Sequence, residues 1–174
     1  MRKIIVALFC LSLLIIACKH STTFKEIDIS NRYSIQVPAY MHVTDELLPG
    51  IASLQYENDS AKVYLLVIDT ARAGMREGSL KAFYDSAVSQ PALESAQISP
   101  AKFMKVDGDS AYTSEMTGSL NGSTADSMKV FYKIEVLASK DRFYQVLMWT
   151  RQSKADELKA DMEKVLSSFT DIHK

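Results

Sequence analysis

The amino-acid sequence predicts an α+β fold in which two main helices pack on a mainly antiparallel β-sheet. Short runs rich in β-branched and aromatic residues follow one another and are separated by turn residues, as in consecutive hairpins. Two other segments repeat their apolar residues with the period of an α-helix. Their order is strands, helix, strands, helix, which is typical of a layered domain with helices on an antiparallel sheet.

Four strands are predicted in the first half of the chain. Tyr33, Ile35 and Val37 alternate with polar residues, so these three side chains should share one buried face. The uninterrupted apolar run Val63–Ile68 suits a central strand that is covered on both faces. The four predicted strands are Phe24–Ile29, Tyr33–Val37, Ile51–Glu57 and Lys62–Asp69, with turns at 31–32 and 58–60 and an irregular or short helical connection at 41–49.

The second half predicts a further series of hairpins. The dipeptide Asp107-Gly108 is a strong two-residue turn signal, and Asn121-Gly122 is a second one. The last strand is apolar on both sides and should be central. The predicted strands are Ile98–Asp107, Ser110–Gly118, Met128–Ala138 and Phe143–Thr150.

Two helices are predicted from caps and periodicity. Ser79 is a suitable N-cap for a helix whose apolar face runs from Leu80 to Val88 and which ends before Pro91. The second helix should begin with a cap at Ser153, and it buries a stripe that ends at Phe169. The residues from 171 to 174 are expected to fray.

The N-terminal stretch 1–18 has the features of a bacterial signal peptide. Arg2 and Lys3 precede an uncharged run of 14 residues, Ile4–Ala17. Such a run spans about 21 Å as a helix, which is short of a hydrocarbon core of about 30 Å. The basic start and the short apolar middle therefore favour a secretory signal over a membrane span.

The end of this stretch resembles a lipobox, the motif read by lipoprotein signal peptidase. Ile15 lies three residues before the cleavage point, small Ala17 lies directly before it, and Cys18 provides the sulfur nucleophile that takes the diacylglycerol. Cys18 is therefore the predicted lipidation site, and two or three acyl chains would anchor the protein firmly. An ordinary signal with a coincidental cysteine and an uncleaved anchor are the alternatives. Cys10 lacks a preceding small residue and would leave with the signal.

These features divide the chain into a signal peptide (1–17), a lipidated tether (18–23) and a single α+β domain (24–174). Lys19 rather than Asp follows Cys18, which favours the outer membrane and a periplasm-facing domain. The net charge of −1 and the absence of a basic stripe argue against a nucleic-acid partner. After cleavage the only cysteine is the lipidated one, so no disulfide is expected.

Two short motifs resemble the PsbP-like family, which includes many non-photosynthetic bacterial lipoproteins of the DcrB type. The stretch Tyr33–Pro38, followed by Met41, resembles the opening strand of that family, which ends at proline. The stretch Val165–Phe169 resembles the close of its last helix. The resemblance implies a PsbP-like α/β/α sandwich from about residue 24 to residue 169. It supplies no catalytic residues, and a fold does not determine a function.

No residue pattern indicates catalysis, a cofactor or a metal. His20, His42 and His173 are far apart in the chain and lack metal-ligand spacing. Asp107-Gly108-Asp109 resembles the start of a calcium loop, but the remaining ligands are missing and a hairpin is favoured. Phe131 is either covered core, which is favoured, or part of an exposed apolar patch.

Three functional hypotheses follow. The leading one is a membrane-anchored, non-enzymatic module that binds or helps to assemble other envelope proteins. The second is a carrier of a small ligand or lipid, with an apolar cavity between sheet and helices. The third is a hydrolase with His42 as the base, although no Gly-x-Ser-x-Gly elbow accompanies this histidine.

Overall fold

A computed structural model describes residues 21–29, 31–73, 79–120 and 128–172. Within these ranges the chain forms helix α1 (Leu80–Ser89), helix α2 (Ala155–Ser167) and eleven β-strands. The strands are β1 (Phe24–Ile29), β2 (Tyr33–Pro38), β3 (His42–Val43), β4 (Leu54–Asn58), β5 (Val63–Ala71), β6 (Leu93–Ile98), β7 (Lys102–Val106), β8 (Asp109–Leu120), β9 (Met128–Ala138), β10 (Arg142–Arg151) and β11 (Thr170–Asp171).

The strand pairs are antiparallel, which confirms the predicted α+β fold class. The strands are divided between two sheets. The large sheet has the order β3-β4-β5-β10-β9-β8-β6, and β7 also pairs with β8. The small sheet has the order β1-β2-β11. Strand β2 pairs with β1 on one side and with β11 on the other, so neither edge of β2 is left to join the large sheet.

The two faces of the large sheet are covered by different elements. On one face, α2 and the small sheet enclose Tyr33, Ile35 and Val37, which share a buried face as predicted. On the other face, α1 packs through Tyr84 and Ala87. Strand β10 lies between β5 and β9 at the centre of the sheet, also as predicted.

The local signals for the first helix and for the central hairpin are confirmed. Ser79 Oγ accepts a hydrogen bond of 3.1 Å from the N–H of Ala82, which caps α1. Asp107 and Gly108 have φ values of 47° and 93°, the positive values that a two-residue type I′ turn requires at both positions. This turn joins β7 to β8, as the sequence predicts.

Several boundaries differ from the predictions: β4 begins at Leu54 rather than Ile51, and β6 begins at Leu93, ahead of the predicted strand that starts at Ile98. The expected strand 98–107 consists of the end of β6 and the whole of β7, because Pro100 has no N–H for a ladder and separates the two. Ser153 does not cap α2: it lies in a 3-10 turn at Gln152–Lys154, and Lys154 holds the N-cap position without a side-chain bond. Asp171, expected to fray, pairs with Tyr33 in β11 and is buried.

Several predictions concern residues outside the described ranges. These are the signal peptide, the lipidation site Cys18, the cysteine at 10, the histidines at 20 and 173, and the turn at 121–122. The division of the chain into signal, tether and domain therefore stays a prediction. No helix within the described ranges is long and apolar enough to cross a membrane.

Candidate functional site

The most unusual ionisable side chain in the described part of the chain is Glu135. It lies on β9, between Thr113 of β8 and Val146 of β10, on the face of the sheet that α2 covers. Only 2% of the residue is exposed, and its Oε1 has no hydrogen-bond partner among the described residues. Burial raises the pKa of this carboxyl to about 8, although the nearby charge of Lys133 lowers it in part. Glu135 is therefore mainly protonated at neutral pH.

An ion-pair network lies on the same face, between the sheet and α2. Lys133 of β9 donates to Glu115 of β8 (3.2 Å) and to Glu163 of α2 (2.8 Å). Lys159 of α2 also pairs with Glu115, at 2.9 Å. Partial burial would raise the pKa of Glu115, but hydrogen bonds from Lys159 and Lys133 outweigh it and hold the pKa below its usual value. The network ties the exposed edge of α2 to the sheet.

A cavity of about 280 Å³ opens beside this network; we call it the lysine cavity. Its charged lining consists of three ammonium groups, from Lys102, Lys133 and Lys159, and one carboxylate, from Glu115. Glu135 adjoins it, since Thr113, its partner on β8, is part of the lining. The remaining lining residues are Ser99, Pro100 and Ser114.

A second cavity, of about 290 Å³, lies between the edge of the small sheet and the β3–β4 edge of the large sheet; we call it the edge groove. Its apolar lining consists of Ile27, Ile29, Val43, Leu54 and Tyr56. Val43 is 70% exposed at the groove, and Ile51, adjoining the lining residues in the chain, is 62% exposed.

The edge groove results from the path of the chain after β3. Strand β3 pairs with β4 over only two residues, His42 with Glu57 and Val43 with Tyr56. The chain then crosses to the other face of the sheet. There the side chain of Gln55 accepts from the N–H of Leu48 at 2.7 Å and donates to its carbonyl at 3.2 Å. Leu54 and Tyr56 are thus left without a full neighbouring strand, and they form the floor of the groove.

A buried charge cluster joins the two sheets at another point. The Asp69 side chain, 5% exposed at the end of β5, accepts from Arg32 at 2.9 Å and 3.0 Å and also pairs with Arg142. Arg32 belongs to the turn between β1 and β2, whereas Arg142 begins β10. A buried carboxylate with two guanidinium partners is compensated rather than reactive, so this cluster links the sheets.

The structure does not assemble a catalytic group around His42. The side chain of His42 is largely exposed, and its Nε2 lies 3.6 Å from Glu57 Oε1. Among the described residues, no hydroxyl group hydrogen-bonds to it. Within the same residues, no group of three or more His, Cys, Asp or Glu side chains could hold a metal ion.

Phe131 is core, as the sequence analysis favours. It is buried, and Lys159 Nζ lies 5.9 Å from its ring centroid. The sequence predicts neither cavity and does not single out Glu135, since its place in the predicted strand Met128–Ala138 does not reveal its burial.

The comparisons with known proteins reveal fold likeness only. The sequence matches no protein-family model and no curated protein. Cyanobacterial PsbP from Synechocystis sp. PCC 6803 superposes with a TM-score of 0.62 at 16% identity, over 89% of this chain and 96% of that one. LpqN of Mycobacterium tuberculosis, described as involved in cell envelope biogenesis, gives 0.56 at 15% identity, over 87% and 92%. A Mog1 mutant gives 0.55 at 9% identity, over 85% and 95%. The chain therefore has the PsbP-like fold that its sequence resembles.

Proposed function

We propose that this protein is a lipid-anchored envelope protein whose folded region binds an extended segment of a partner protein at the edge groove. The observation that carries the proposal is the groove itself, with an apolar floor and a largely exposed aliphatic side chain, Val43, in its lining. Contiguous exposed apolar surface marks interaction sites in soluble proteins. The cell-envelope role of LpqN, which has a similar fold, supports the same setting.

The shape of the groove favours an extended occupant. Strand β1 is an edge of the small sheet, and β3 is the edge strand of the large sheet, where the pairing with β4 continues to a bond of 3.1 Å from the N–H of Thr44 to the carbonyl of Gln55. Backbone groups at such edges can pair with an added strand, while alternate side chains of that strand enter an apolar pocket. The groove is therefore suited to recognise a strand-forming segment.

The charges around the groove indicate which segment fits. Asp45, which lines the groove, and Glu46, the next residue after it, are exposed and acidic. Lys25, the nearest cation on β1, is already occupied, because it donates to Met41 O at 3.2 Å and lies 4.9 Å from the ring centroid of Tyr56. A partner segment that alternates apolar and basic residues would thus complement both the floor and the rim.

Site-specific photo-crosslinking in living cells tests this proposal. A photoreactive amino acid is placed at Val43 or Thr44, which line the groove, or, as a control, at Phe103, which is 58% exposed at the opposite edge of the large sheet. We expect one shared crosslinked product from the two groove positions and none of it from position 103. The double variant Asp45→Lys/Glu46→Lys should remove that product by repelling a basic segment. Identical products from all three positions, or none from the groove, would refute the proposal.

The lipid anchor has its own test, because the lipobox is the observation that supports it. We expect Cys18→Ala to abolish fatty-acid labelling and to release the protein from the membrane fraction. Cys10→Ala, in the same apolar run, should keep both properties. Labelling that persists in Cys18→Ala would show that the lipobox interpretation is wrong.

The other two functional hypotheses gain little from the structure. A carrier needs an internal apolar cavity, whereas the lysine cavity and the edge groove are of about 280 and 290 Å³ and open to solvent. That is below the roughly 300–1,000 Å³ of sites for drug-sized ligands. Native mass spectrometry of the purified protein would contradict this view if it revealed a bound lipid.

A further inference from the structure

We propose that the lysine cavity is a second binding site, one that takes a small oxyanion such as a phosphate or sulfate group. It lies on the β7–β8 side of the large sheet, far along the strand order from the edge groove. The proposal does not depend on the partner-binding function, because the two cavities share no lining residue.

The first argument is the balance of charge. The lining contains three lysines and one glutamate, so Glu115 leaves an excess of positive charge. Glu163 compensates part of this excess from the rim through its bond to Lys133, and the charge of Asp156 acts on Lys159 at longer range. Lys102 has no carboxylate within 4.0 Å among the described residues, so its ammonium group lacks an internal anionic partner. A concave site with excess positive charge attracts anions.

The second argument is the hydroxyl group of Ser99. Its Oγ accepts a hydrogen bond of 2.9 Å from the N–H of Glu115. Its O–H is therefore oriented away from that nitrogen and can donate to a ligand in the cavity. Thr113 is different, because its O–H already donates to the carbonyl of Ile134 at 2.9 Å. One hydroxyl donor and the ammonium groups of Lys102 and Lys159 are suitable partners for an oxyanion.

The third argument is that the buried acid nearby does not cancel the charge. Glu135 would place a negative charge beside Lys133 if it were ionised, but its burial keeps it mainly protonated at neutral pH. Its cross-strand neighbours, Thr113 on β8 and Val146 on β10, carry no charge. The volume of about 280 Å³ suits a compact anion or the phosphate head of a larger molecule.

Calorimetric titration of the full-length protein in a non-ionic detergent tests the proposal at constant pH and ionic strength. Inorganic phosphate serves as the soluble probe, and micelles doped with phosphatidylglycerol provide the lipid-bound form of the same group. Lys102→Met should weaken binding about tenfold, because it removes one charge-assisted hydrogen bond to the anion. Lys105→Met is the matched control, since Lys105 lies on the same strand but bonds to Ser110 at 2.9 Å instead.

A second variant gives an effect of opposite sign. Glu115→Gln should tighten binding several-fold, because it removes the one carboxylate of the lining. A general loss of structure could not both tighten binding in this variant and weaken it in Lys102→Met. Changes in the NMR shifts of the backbone amides of Ser99 and Lys102 should report occupancy of the cavity with either probe.

The outcomes separate the two sources of the anion. The expected pattern with phosphate alone assigns a soluble ligand, and the same pattern only with doped micelles assigns a lipid headgroup. The proposal is overturned if neither probe shifts the amides of Ser99 and Lys102, or if Lys102→Met and Lys105→Met bind alike.

Discussion

Asp69 and Glu135 are both buried carboxylates on the same face of the large sheet, with only β10 between their strands, yet they are held in opposite ways. Asp69 has two guanidinium partners, whereas Glu135 Oε1 has no hydrogen-bond partner among the described residues. The first is a compensated charge that joins two sheets. The second is an acid that burial keeps protonated. Burial alone therefore does not determine what a carboxyl does, because its partners do.

The largest effect we expect from this difference is the pH dependence of Glu135. The unfolded chain releases the proton near pH 4.5, but the folded chain retains it to about pH 8. Between these values the folded state binds more protons than the unfolded state, so the free energy of unfolding falls as pH rises. Glu135→Gln removes this decline, and the variant should be more stable than the wild type by up to about 4 kcal/mol at pH 8.

At pH 5 the same variant should differ little from the wild type, since both side chains are then neutral. Urea unfolding, followed by the fluorescence of the single tryptophan, Trp149, measures the free energy of unfolding of the two proteins at each pH. Glu94→Gln, at an exposed position of β6, is the control and should keep the wild-type pH profile. Parallel pH profiles for the wild type and Glu135→Gln would show that Glu135 is ionised in the folded protein.

The second effect concerns the compensated carboxylate. Asp69→Asn removes the charge that holds Arg32 and Arg142 and should lower the free energy of unfolding by about 3 kcal/mol. This is the low end of the range for breaking a buried pair, because both arginines keep partial contact with water. The urea midpoint should fall with an unchanged slope. Asp59→Asn, in the exposed pair with Lys62, is the control and should leave the urea midpoint unchanged. An equal fall of the midpoint in both variants would show that the Asp69 cluster does not stabilise the fold more than an exposed pair does.

The sequence predicted the scaffold better than the sites because the scaffold depends on local signals. Tyr33, Ile35 and Val37 reveal their face by alternation, and Asp107-Gly108 reveals its turn by its composition. Glu135 has the same pattern as a solvent-facing residue of β9. Only the packing of α2 over that face turns it into a buried acid.

The edge groove shows the same limit at longer range. Two of its lining residues, Ile27 and Leu54, come from strands of different sheets, and their approach depends on how the sheets pack. Asp69 likewise ends a predicted strand and resembles an ordinary turn boundary. Its partners at positions 32 and 142 are distant in sequence, so no local pattern connects them.

The smallest effect tests whether Lys133 influences Glu135 through charge. The positive charge of Lys133 opposes the rise that burial causes in the Glu135 pKa, so Lys133→Met should move that pKa further upward. The side-chain carboxyl carbon of Glu135, followed by NMR across the titration, measures the shift directly. Lys129→Met is the matched control, because Lys129 lies on the same strand but four residues further from Glu135 than Lys133 does. A downward shift in Lys133→Met would mean that the lysine acts by excluding water rather than by its charge, since a methionine that admits water would stabilise the ionised carboxylate.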